Sequence, residues 1–204
     1  MGFGLIFMGF LMLFGMRVIP SGILGGLLML SGLLKLVPYG EGFKRAKNAC
    51  ICLLVYFLLF GTAWTLSIMG IIDFAGYGTA LVADEIIYYS VLIVFCVLLY
   101  KALGDISEQT GFEKGIIKEK RAVSLTVVFA VFTAVRIIAA ALGYEVYLKL
   151  PLTIFELVWL IYGSSYIYSC YMMIATEEII DKENKKMREY DEKHAGRMLK
   201  NRRK

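Results

Sequence analysis

The sequence predicts an all-α integral membrane protein, a six-helix transmembrane bundle with both termini cytoplasmic. Three observations carry that expectation. Of the 204 residues, 59% are hydrophobic and only 19% charged, against about 45–50% and about 25% in soluble domains. The charges collect in a few short segments and in the stretch after Ala175. Between them lie apolar blocks near the length of roughly 17–25 residues that a helix needs to cross a bilayer. Residues 1–175 are therefore read as a six-span transmembrane domain and 176–204 as a charged cytoplasmic tail.

The spans expected are 2–19, 21–37, 49–72, 84–103, 122–142 and 152–175. The first two meet at Arg17, Pro20 and Ser21, which break an otherwise apolar run from Met1 to Val37. This reads as a tight helical hairpin with Arg17 at its tip. It does not read as a signal peptide, because no Lys or Arg precedes the apolar run and Arg17-Val-Ile-Pro20 lacks a small-residue cleavage site. Gly4, Met8, Leu11 and Gly15 share one face of the first helix, and Gly22, Gly25, Gly26, Met29 and Gly32 one face of the second. Such faces let backbones approach closely in lipid, where apolar burial supplies little drive. They are expected to pack within the bundle; a homo-oligomer or a partner membrane subunit is the other use for them.

Pro38 to Asn48 reads as a short basic loop. In span three, Cys50 and Cys52 are two apart and point to nearly opposite helix faces, so they do not chelate together. With Cys96 and Cys170 they fall in the cytoplasmic halves of their spans, a reducing side. All four are read as small buried apolar residues. Gly76-Tyr77-Gly78 resembles the Gly-Tyr-Gly of potassium-channel filters, but the preceding Asp73-Phe-Ala is not the Thr-Val of a filter and no pore helix precedes it. An apolar loop in the outer interface is expected there. Span four opens with Asp84, Glu85, Tyr88 and Tyr89. Acids at a helix N-terminus complement its dipole and tyrosines favour the membrane interface; with Asp73 the two acids also suit an outer vestibule for cations. In 104–121, Asp105 and Glu108 have capping-box spacing, which suggests a short surface helix.

The hairpin of spans five and six carries the sharpest feature. Arg136 lies seven residues before the linker Gly143 to Pro151 and Glu156 five after it, hence both roughly 8–10 Å below one membrane face. A charge at the centre of a membrane helix costs about 2.5–3.5 kcal/mol, somewhat less at this depth, and is rarely left unpaired. Arg136 shares a helical face with Thr126, Phe129, Thr133, Ala140 and Gly143; Glu156 shares one with Thr153, Gly163, Tyr166 and Cys170. An Arg136–Glu156 pair in a polar interior is expected, with tyrosine hydroxyls nearby seeking partners.

Orientation follows from the basic residues. The first inner loop with Lys35 contributes four, the 104–121 segment with Lys101 five, and the tail ten, against Arg17 and Lys149 on the other side. The tail balances its ten bases with seven acids, but its last eleven residues hold no acid. It is expected to meet anionic lipid headgroups. No aromatic platform accompanies it, so nucleic acid is not an expected partner, and His194 is read as solvated.

The chain holds no metal-ligand cluster, phosphate loop, nucleophile elbow or histidine dyad. No catalytic residue, metal or cofactor is expected, and an enzyme is the least favoured class. The function expected is a small transporter or membrane-embedded solute-binding subunit of the cell membrane. Its polar outer cavity would be built from Arg136, Glu156, Asp84, Glu85 and Tyr166. In span count and length alone the chain is similar to the membrane-embedded substrate-binding subunits of energy-coupling-factor importers. The alternative is a non-transporting interaction or regulatory subunit in which the Arg–Glu pair is a structural clamp.

Overall fold

Six helices follow one another with short breaks in the computed structural model, which describes residues 2–15, 19–71, 78–141 and 150–173. They are α1 (Gly2–Gly15), α2 (Ile19–Leu36), α3 (Glu41–Ile68), α4 (Gly78–Gln109), α5 (Glu113–Ala141) and α6 (Leu150–Met173). No strand occurs among the described residues. The chain divides into two units, Met1–Cys170 and Tyr171–Lys204, and every contact below lies within the first. Arg17, Asp73, Gly76, Tyr77, Gly143, Lys149 and the tail with His194 lie outside the described residues.

Five helices, α2 to α6, are long and apolar enough to cross a membrane. With 14 residues, α1 spans only about 21 Å at 1.5 Å per residue, short of a hydrocarbon core about 30 Å thick. Large apolar side chains face outward all round the bundle: Leu27, Leu59, Val94, Val131, Ile138 and Ile161 are each more than half exposed. A soluble surface rarely carries so continuous an apolar belt; lipid accommodates it.

One segment read as a loop is helix, and one read as a separate short helix is part of two long ones. Residues 41–48 form the first turns of α3, because Phe43, Ala46, Cys50, Leu53 and Leu54 are buried at three- and four-residue spacing on one face. Only a 3₁₀ turn, Val37–Tyr39, and Gly40 separate α2 from α3. Likewise 104–109 continue α4, so Asp105 and Glu108 lie inside a helix and cap nothing. The break comes at Thr110 to Phe112. Gly111 adopts φ +68°, Phe112 N–H donates to Ser107 C=O at 2.8 Å and Gly111 N–H to Glu108 C=O at 3.2 Å. These paired bonds close the last turn around a left-handed glycine. Gly70, at φ +72°, ends α3 in the same manner.

Contacts between neighbours run in opposite senses, so the helices alternate up and down. A side-chain carbon at Gly9 would lie 2.5 Å from the Gly25 carbonyl oxygen, and one at Gly2 would lie 2.5 Å from that of Gly32. The α1–α2 hairpin is thus closed backbone to backbone. Gly22 and Gly26 seat Phe57 and Leu54 of α3, and Gly42 brings α3 against Ala102 and Asp105 of α4. On the next seam Gly104 receives the carboxylate of Glu119 from α5. Lys118 donates to Ser169 on α6 at 2.7 Å. The ring closes where Phe7 of α1 meets Tyr168, ring centres 5.5 Å apart. The glycine face expected on α2 is therefore used within the bundle, but the one expected on α1 is not: Met8 and Leu11 are exposed, and Gly2 and Gly9, on the side of the buried Phe3, Ile6 and Phe10, make the contact instead. Cys50, Cys96 and Cys170 are buried, but Cys52 is exposed, facing away from the core on the opposite side of α3.

Candidate functional site

Antiparallel order brings the start of α4, the end of α5 and the start of α6 to one end of the bundle. Asp84, Glu85, Arg136 and Glu156 lie at that end. Lys44, Arg45, Lys101, Lys118, Lys120 and Arg121 lie at the other.

Arg136 is the centre of the first group. Its side chain is only 16% exposed, and its guanidinium forms an ion pair with Glu85, whose side chain is 33% exposed. A second nitrogen donates to the Tyr89 hydroxyl at 3.1 Å, and the guanidinium lies 5.4 Å from the Tyr89 ring centre, within reach of a cation–π attraction. Glu85 and Tyr89 are four apart, so one face of α4 presents both to α5. The partner expected for Arg136, Glu156, is not the one it takes. Glu156 is half-buried on α6 and has interactions of its own, but the ion pair belongs to Glu85. The reason lies in what fills the α5–α6 seam. Phe129 stacks on Trp159 with ring centres 4.3 Å apart and planes 5° from parallel, and Phe132 meets Phe155 at 4.9 Å. That aromatic wall turns Arg136 towards α4.

Asp84, beside Glu85, accepts a hydrogen bond from the Tyr56 hydroxyl of α3. The Tyr56 ring lies 5.5 Å from Tyr88, which in turn lies 5.1 Å from Tyr89. The two consecutive acids are therefore held from different sides, one by a phenol from α3 and one by a guanidinium from α5. Beneath the cluster Trp159 donates to Thr126 at 2.9 Å, while Thr126 and Thr133 return their hydroxyl protons to backbone carbonyls one turn back. Phenol and indole partners of this kind went unseen in the sequence, although the four-residue spacing from Glu85 to Tyr89 was there to be read.

Tyr166 does not join this group. It lies ten positions along α6 from Glu156, about 15 Å, and is fully buried with its ring centre 5.9 Å from that of Tyr100. There the hydroxyls of Tyr100 and Ser164 are buried without a hydrogen-bond partner among the described residues, and that of Tyr166 faces Ser107 and Cys170. The Tyr100 hydroxyl is pressed against Gly163, where a side-chain carbon would lie 2.1 Å from it. One turn further on, Ser107 Oγ and Cys170 Sγ are 3.9 Å apart.

Among the described residues no group of three His, Cys, Asp or Glu side chains is placed to hold a metal ion. The charged end can do two things chemically. Among the described residues its acids Asp84, Glu85 and Glu156 outnumber Arg136 and attract cations, and the guanidinium can keep one partner while releasing another. Comparison with protein-family models, with curated proteins and with solved structures gives no match to this chain.

Proposed function

We propose that this multi-pass membrane protein binds and moves a small solute carrying a cationic group, with Glu85, Asp84 and Glu156 as its acids and Arg136 as their internal counter-ion. One observation carries the reading: Arg136 has two partners of unequal accessibility. Glu85 is twice as exposed as the guanidinium it neutralises, so an arriving ammonium group can take the carboxylate. Tyr89, only 3% exposed, still holds the guanidinium by its hydroxyl and ring when that happens. A buried arginine left with no partner would cost several kcal/mol; the tyrosine lowers the cost of exchange. Ammonium solutes fit better than a metal ion, since the acids do not converge on one point.

The test is thermal unfolding of the purified protein in nanodiscs against ethanolamine, choline, putrescine, lysine and arginine. At about one hundred times its Kd a true ligand adds about 2.7 kcal/mol, and Glu85→Gln abolishes that gain. If no compound stabilises the wild-type protein, the solute-binding reading is wrong. The second reading, a structural clamp in a regulatory or interaction subunit, is favoured by the tight aromatic packing of Tyr89, Phe129 and Trp159 behind the pair.

The same proposal sets the orientation, with the acid-rich end outside and the basic end and both termini cytoplasmic. Its support is the grouping of Lys44, Arg45, Lys101, Lys118, Lys120 and Arg121 at one end. Single cysteines at Tyr77 and Tyr144, in a cysteine-free background, are expected to react with an impermeant thiol reagent in intact cells. Labelling at Lys114 instead would reverse the orientation.

A further inference from the structure

A groove of about 420 Å³ opens at the basic end of the bundle between α5 and α6, lined by Lys120, Arg121, Ser124, Leu125, Val128 and Tyr162. Arg121, Ser124, Leu125 and Val128 stand at i, i+3, i+4 and i+7, so they form one stripe along α5. The stripe changes character along its length. Lys120 and Arg121 are the last charged residues before the apolar stretch that begins at Ala122, which puts them at the boundary between water and hydrocarbon. Below them come a hydroxyl, then Leu125, Val128 and the Tyr162 ring.

Neither cation is held in a close pair, although Lys120 feels the Glu119 carboxylate beside it. Both are exposed, and neither forms an ion pair or hydrogen bond with the described residues. Their neighbours turn elsewhere: Glu119 packs on Gly104 of α4 and Lys118 bonds Ser169.

We infer that this groove is a binding site for one anionic glycerophospholipid, its phosphate held between Lys120 and Arg121 and an acyl chain lying along Leu125, Val128 and Tyr162. Arginine grips a phosphate by paired hydrogen bonds and lysine adds a point charge. The Ser124 hydroxyl donates to a headgroup or glycerol oxygen. The apolar floor decides between a lipid and a free anion, because a soluble phosphate gains nothing from it. The chain's own tail is a poor occupant, with ten bases against seven acids after Ala175. This site is separate from the tail's general attraction for anionic membranes, and it does not depend on the solute proposed above.

Native mass spectrometry of the full chain, released from phosphatidylcholine nanodiscs doped with phosphatidylglycerol, tests the inference. The wild-type protein retains one phosphatidylglycerol in preference to phosphatidylcholine. Lys120→Gln with Arg121→Gln weakens that preference about thirtyfold, from about 1 kcal/mol for each basic residue near the surface. Ser124→Trp, which fills the groove and leaves both charges, also loses the lipid. Lys44→Gln with Arg45→Gln removes the same charge from α3 and leaves retention unchanged, as does deletion of Ala195 to Lys204. The inference is overturned if the α3 pair matters as much as the α5 pair, if the tail deletion abolishes retention, or if glycerol phosphate displaces the lipid.

Discussion

Glu85→Ala is expected to destabilise the purified protein by about 2 kcal/mol, between the value for an exposed ion pair and the 3–5 kcal/mol of a sealed one. Arg136→Ala is expected to cost about half as much, and the order is the informative part. Removing Glu85 leaves a guanidinium that is 16% exposed and stays charged throughout the accessible pH range, with Tyr89 as its remaining partner. Removing Arg136 leaves a carboxylate that is 33% exposed, which water can reach and hydrate. The double variant recovers part of the loss, since the two residues share one interaction. Thermal unfolding of the four proteins in one nanodisc composition gives the coupling directly. A larger loss for Arg136→Ala, or strict additivity, would show that the pair is not the source of stability.

Gly9→Leu is expected to cost about 3 kcal/mol, the upper end for forcing bulk into a packed site. A side-chain carbon at Gly9 meets the Gly25 carbonyl at 2.5 Å and the Met29 backbone nitrogen at 2.8 Å. Backbone on both counts cannot move aside as a side chain can, so the helices must part. Gly40→Ala is the control, because nothing lies within 4 Å of the added carbon and the expected change is under about 0.5 kcal/mol. Equal melting temperatures for the two variants would mean that the α1–α2 contact is not required.

The apolar blocks were legible because lipid demands long uninterrupted runs, and that demand is written in composition. Helix ends were less so. Lys44, Arg45 and Lys47 suggested a loop by charge, yet Phe43, Ala46 and Cys50 keep helical spacing through the same stretch, and burial of that face decided the outcome. The arginine's partner was not legible. Matched depth pointed to Glu156, because Glu85 stood at the expected start of span four, whereas α4 begins at Gly78 and carries Glu85 seven residues into the helix. The choice depends on which way each helix is rotated, and that is set by Phe129 on Trp159 and by Tyr89, contacts between residues far apart in sequence. Tyr166 was placed on the correct stripe of α6 but at the wrong height, because a stripe runs the length of a helix and says nothing about where along it a site lies.

The hairpin of α1 and α2 has a mechanical consequence. Two backbones touching at Gly2–Gly32 and again at Gly9–Gly25 leave neither helix free to roll or slide on the other, so the pair behaves as one stiff strut. The α4–α6 seam is keyed in another way. The Tyr100 hydroxyl of α4 is set against Gly163 of α6 and Ser107 lies against Cys170, so sliding α6 along α4 would drive a phenol into a turn that only glycine leaves open.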